Sequence, residues 1–160
     1  MGAIVDVARG AVAGAVGTWV MDLITTGIVS GQSKAAAKRE AAARPNGKSS
    51  VENLVDRLPA WTGIDIPAER RPLVQQLVHF GLGVVPGAAY ALLRRTPLTG
   101  TARGAAMGAL LWALNDEFIN SKLGLAGPFE AYPLETHLRG LVGHVALGIT
   151  TDTTIELLGG

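Results

Sequence analysis

The sequence predicts an all-α protein: a small polytopic membrane helical bundle of about four glycine-rich transmembrane helices, with an extramembrane helical insert between helices 1 and 2. Three observations carry that expectation. The 160-residue chain is 48% hydrophobic but only 5% aromatic and 17% charged, and it holds 21 glycines, about twice the usual share. Of its 27 charged residues, 13 fall between Gln32 and Arg71, while the rest flank or thinly interrupt four apolar stretches. Those stretches run roughly from Gly10 to Ser30, Leu73 to Leu93, Gly100 to Asn120 and Leu134 to Leu158. Within them small residues recur at fours, a spacing that puts them on one helical face and lets two backbones approach closely, as membrane helices do.

The whole of 1–160 reads as one membrane domain, with 32–71 as an insert inside it. The first two stretches are near the ~20 residues needed to cross a bilayer. Asp6 and Arg9 precede the first, and no clear A-x-A site follows it, so no cleavable signal is expected. In the third and fourth, Arg103 to Asp116 and Arg139 to Asp152 enclose only twelve uncharged residues each. Spans that short also occur as core helices of soluble proteins, so a soluble all-α fold is the competing reading. Against it, Gly10, Gly14, Gly83, Gly87, Gly100, Gly104, Gly108 and Gly148 would each cost roughly 1 kcal/mol relative to alanine in a water-exposed helix. Pro97 and Pro133 stand just before the third and fourth stretches, where a helix start tolerates proline.

In the insert, Ser33 to Arg44 (SKAAAKREAAAR) is a strong helix former, and Pro45-Asn46-Gly47 stops it. Ser49 with Glu52 makes a capping box for a short amphipathic helix with Val51, Leu54, Val55 and Leu58 on one side. That helix either lies on the membrane surface with Trp61 at headgroup level or packs on the bundle.

Composition excludes several classes. A net charge of +1 and the absence of a Lys/Arg run argue against nucleic acid as a partner. Without cysteine there is no disulfide frame, thiolate metal site or Cys nucleophile. No nucleotide fingerprint or nucleophile elbow is present.

Four helices running up and down would gather most ionisable residues of the apolar stretches in one half of the bilayer: Asp22, His79, Asn115, Asp116, Glu117, Glu135, His137 and His144. Their stripes coincide with the glycine stripes, so they point inward, where charge in a bilayer hides. Asp152, two turns beyond His144 on nearly the same face, would extend the set toward the other side. Three chemistries remain open for this cluster. It could be a hydrogen-bond network that fixes helix register, or a proton- or ion-handling site. As an alternative, His79, His137, His144 and Glu117 could hold a transition metal or haem, making the chain a subunit of an oxidoreductase complex. No HExxH, Glu-x-x-His pair or CxxCH supports the last. No catalytic residue is assigned, and no cofactor is expected outside that alternative.

The segments GAVAGAVGTWVMD (Gly10 to Asp22), HFGLGVVPGAAYALL (His79 to Leu93), GTARGAAMGALLWALNDE (Gly100 to Glu117) and ETHLRGLVGHVALG (Glu135 to Gly148) resemble the YagU-like family of small bacterial inner-membrane proteins of unknown molecular function. The resemblance implies a multi-pass inner-membrane location and a link to survival at acid pH, and it supplies no catalytic residues. Together these readings predict a non-enzymatic membrane protein of structural or interaction type, with the lipid bilayer and a second copy or a larger membrane complex as partners. Ten Lys/Arg on the insert side against four on the other place the insert in the cytoplasm.

Overall fold

The computed structural model describes residues 2–94 and 100–160. The expected turn from Arg94 to Thr99, with Pro97 as a helix start and Arg95 among the charges of that side, lies outside the described residues apart from Arg94 itself. The described chain is helical throughout, with no strand among these residues.

Helix α1 (Ala3–Ser30) begins seven residues before the apolar stretch. Asp6 and Arg9 lie inside it rather than ahead of it, 3.7 Å apart, and partial neutralisation at i,i+3 spacing lets the helix run through them. Helix α2 (Lys34–Ala43) is alanine-rich, and the Ser33 hydroxyl caps it by accepting from Ala36 N–H. A tight turn at Pro45–Gly47 ends it, with Asn46 at φ 58° and Gly47 at φ 69°. Helix α3 (Ser50–Thr62) carries the capping box: Ser49 Oγ accepts from Glu52 N–H, and Glu52 accepts from Ser49 N–H at 2.8 Å. Gly63 closes it in the left-handed conformation. Helix α4 (Arg71–Leu93) follows. Helix α5 (Gly100–Leu111) runs on without a break into a π-helical segment, Trp112–Ile119, and a last turn, Asn120–Lys122. Helix α6 (Leu134–Leu157) starts from Pro133 in an extended conformation.

The four long helices lie side by side in the order α4–α1–α6–α5, each antiparallel to its neighbour. Glycine sets how closely they sit. A methyl group on Gly10 or Gly14 of α1 would strike the carbonyl oxygens of Gly87 and Gly83 on α4, and one on Gly108 of α5 would strike the carbonyl of His144 on α6. Gly104 and Gly148 face each other one turn further along the α5–α6 seam. Gly17 of α1 rests on Leu147 and Thr151 of α6, and Gly143 of α6 rests on Met21 and Thr25 of α1. Gly100 has no such neighbour and stands at φ 52° where α5 begins. Contact at this range brings many backbone atoms into dispersion distance without any large side chain between them.

Few large side chains are fully buried: Leu125, Ile155 and Val55, and with them the polar Thr18, Thr151 and Asp152. By contrast Trp19 (57% exposed), Val85 (68%), Leu73, Leu110, Phe118 and Leu138 cover the outside. Among the described residues two helices are long and apolar enough to cross a membrane, α1 and the continuous stretch Ala68–Leu93.

The insert folds back over the end of the bundle where α5 finishes and α6 starts. Asn53 of α3 donates through its amide to the carbonyls of Leu125 (3.0 Å) and Pro45 (3.1 Å), and Arg57 donates to the carbonyls of Leu123 and Gly124. Leu125 and Val55 are buried in the seam.

Candidate functional site

Antiparallel packing sends the late residues of α1 and of the π segment to the same end as the early residues of α4 and α6. Three histidine–carboxylate pairs result, each joining two helices. His79 of α4 donates through Nε2 to Asp22 of α1 (2.8 Å to Oδ1, 3.1 Å to Oδ2). A carboxylate only accepts, so this bond calls for a proton on Nε2. His144 of α6 donates through Nδ1 to the carbonyl of Gly140 (3.0 Å), with Asp116 Oδ2 3.6 Å from the same nitrogen. Asn115 donates to the other oxygen of Asp116 at 2.9 Å.

The third pair differs. His137 of α6 is buried, with Nδ1 2.7 Å from Glu117 and Nε2 3.1 Å from the carbonyl of Phe129. The ring thus bridges the Glu117 carboxyl and the Phe129 carbonyl. Phe129 stacks on the ring at 4.0 Å and Tyr132 meets it edge-on. Glu135 is exposed on the outer side of α6 and joins none of these pairs.

Two cavities flank the pairs. The larger, about 710 Å³, lies between α4 and α5, with Thr18 and Met21 of α1 and His144 and Leu147 of α6 behind it. Its walls are mainly apolar (Leu82, Val85, Leu111, Leu114), and His79, Asn115 and Asp116 sit toward its insert end. The smaller, about 180 Å³, lies under the insert beside Glu117, His137, Tyr132 and Glu40. Trp112 lines it too, with its indole N–H buried and without a hydrogen-bond partner among the described residues. The indole packs on Gly140, where an added methyl would sit 3.0 Å from its nitrogen and press the ring aside.

Glu40 of α2 is the strongest tie between insert and bundle. It accepts from Arg139 (2.8 Å) and Thr136 (2.9 Å) of α6, from Arg44 (2.6 Å) and from Gln32 (3.0 Å). Burial pushes the Glu40 carboxyl up, but the hydrogen bonds from Arg139, Gln32, Arg44 and Thr136 outweigh it and hold the pKa at about 2.

Asp152 lies at the opposite end and meets no histidine. It is 1% exposed and accepts from Tyr90 (2.6 Å) and from Arg103 through two nitrogens (2.9 and 3.1 Å). Arg94 approaches to 3.5 Å, and Glu156 takes a further bond from Arg103 at 2.9 Å. Between His144 and Asp152 the backbones of Gly104, Gly108 and Gly148 touch, which closes the direct route from one to the other.

The proposed ligand set for a metal or haem does not converge. His79, His144 and His137 each face a different carboxylate, and no group of three His, Asp or Glu able to hold a metal ion occurs among the described residues. No protein-family model, curated protein or solved structure significantly matches the chain. The site rests on geometry alone.

Sequence reasoning missed Arg103, Tyr90 and Arg94 as partners of Asp152, and Glu40 with Arg139 as the tie to the insert. One signal was available for the first group. Asp152 and Glu156 stand at i,i+4 on the last turns of α6, near the end where Arg94 and Arg103 must also fall. For the tie from Glu40 to α6 none was, because its partners there, Thr136 and Arg139, are 96 and 99 residues away.

Proposed function

We propose that this protein is a multi-pass integral membrane protein of the bacterial inner membrane, in which all four long helices cross the bilayer and 32–71 forms a cytoplasmic cap. One observation carries the reading: large apolar side chains outside, glycine, threonine and paired charges inside. In water that arrangement would leave Trp19, Leu73, Val85, Leu110 and Phe118 solvated at roughly 1.5–3 kcal/mol each. In lipid it costs nothing and lets the small-residue seams pack. The charges within α5 and α6 fit the same reading, since Arg103 with Asp152, Glu117 with His137, and Arg139 with Glu40 are matched pairwise, which lowers the cost of an ionised group at depth.

The role we assign is structural or interactive rather than catalytic, with the histidine–carboxylate pairs as the acid-sensitive fastenings of the cytoplasmic half. Protonating Asp22, Asp116 or Glu117 removes the anionic partner of the facing imidazole and loosens two helices at once. This agrees with the acid-survival link that the YagU-like resemblance implies. Extraction of membranes with alkaline carbonate tests the placement: the protein should stay in the pellet, and release into the soluble fraction overturns it. For the acid role, cells carrying Asp22→Asn or His144→Ala should survive acid challenge less well than wild type. Wild-type survival with both variants folded and inserted returns these residues to a purely structural role.

A further inference from the structure

The cavity between α4 and α5 has a chemistry that the reading above does not use. Its volume, about 710 Å³, falls in the range of small-molecule sites. Along α4 it runs from Val78 to Pro86, about 12 Å at 1.5 Å per residue. Its walls are apolar over most of that length, and its polar groups gather at one end. Among the lining side chains there is no lysine or arginine, and the only carboxylate is Asp116, with Asp22 behind His79.

His79 and His144 also line it, each with one ring nitrogen already engaged, by the Asp22 carboxylate and the Gly140 carbonyl. Thr18 spends its hydroxyl proton on the Gly14 carbonyl at 2.9 Å. Ser50 and Asn115 complete the polar end, Asn115 donating to Asp116, and the Asp116 carboxylate is its acidic group, set beside apolar walls where charge acts at longer range than in water. We propose that this cleft binds lipophilic ammonium compounds, with the N–H⁺ head toward Asp116, His79 and His144 and the apolar body between Leu82, Val85, Leu111 and Leu114. The inference rests on the membrane reading only for which way the cleft opens.

Three adamantane derivatives of one shape test it: adamantan-1-amine as its ammonium, adamantan-1-ol and adamantane-1-carboxylate. Each is titrated calorimetrically into the full-length protein in non-ionic detergent, with empty micelles subtracted. The ammonium should bind at least about tenfold more tightly than the alcohol, a difference of about 1.4 kcal/mol, and the carboxylate should give no heat above the blank. Asp116→Asn should weaken the ammonium about tenfold and leave the alcohol unchanged. Leu111→Trp should abolish both by filling the chamber, while helix content and thermal midpoint show that each variant folds.

Displacement of the probe by phosphatidylethanolamine, but not by phosphatidylcholine, would identify a lipid ammonium with N–H donors as occupant. Displacement by neither identifies a free amine. Equal affinity for ammonium and alcohol, or ammonium binding unmoved by both variants, overturns the proposal. Carbonate extraction is independent of it. Protein that stays in the membrane but fails to prefer the ammonium refutes the ligand alone, and protein that is released yet prefers it refutes the membrane placement alone.

Discussion

Arg103 and Asp152 are joined by two hydrogen bonds, 2.9 and 3.1 Å, and the aspartate is 1% exposed. A planar guanidinium on a buried carboxylate is the geometry in which loss of one partner costs most, because the other is left charged and unpaired. Arg103→Ala should therefore lower stability by about 3 kcal/mol. Arg103→Lys should recover only part of this, since an ammonium cannot reproduce the two-pronged contact. Thermal unfolding in detergent measures both. A loss under about 1 kcal/mol for Arg103→Ala would show that Arg94 and Tyr90 suffice to hold Asp152.

The glycine seams make a second prediction. Gly108→Leu places a side chain where the His144 carbonyl already sits, and overpacking of this kind costs about 3 kcal/mol or more. Gly81→Ala is the control: nothing lies within 4 Å of the added carbon, so its effect should stay within about 1 kcal/mol. Folded yield after solubilisation and the thermal midpoint read both. If the two substitutions behave alike, close backbone contact is not what holds α5 to α6.

The Glu40 tie should be acid-resistant within limits set by its carboxyl. A pKa lowered from 4.5 to about 2 means stability that is fully present above about pH 4.5 and lost progressively as pH falls toward 2. Hydrogen exchange of the α2 amides should accordingly stay slow at pH 5 and rise steeply only below about pH 4 after correction for intrinsic rates. Glu40→Gln should remove this dependence and cost about 2 kcal/mol at neutral pH.

What can be read from the amino acids divides by distance along the chain. The four long helices, the stop at Pro45-Asn46-Gly47 and the Ser49–Glu52 capping box depend on residues a few positions apart, so they are legible in advance. The start of α1 at Ala3 is less so, because Asp6 and Arg9 look like a boundary until they are seen to face each other along the helix. Which histidine meets which carboxylate depends on the order α4–α1–α6–α5, and the partners are 57 residues apart for Asp22 and His79. Asp152 shares a helical face with His144, yet the glycine contacts between them and the nearness of Arg103 decide its surroundings. Helical phase alone carries neither fact.

The central place of α1 and α6 has a consequence for biogenesis. Ala13 and Thr151 touch across 138 residues of sequence, so α1 waits for its second neighbour through almost the whole of synthesis. At the usual pace of translation that is roughly ten to thirty seconds, during which the Gly17 face of α1 stands open with only α4 beside it. Arg103 likewise emerges before the carboxylate that will neutralise it. A ribosome-stalled chain cut before Leu134 should therefore recruit an insertion chaperone or a protease at the half-finished seam, and the final helix acts as the closing stave that ends that exposure.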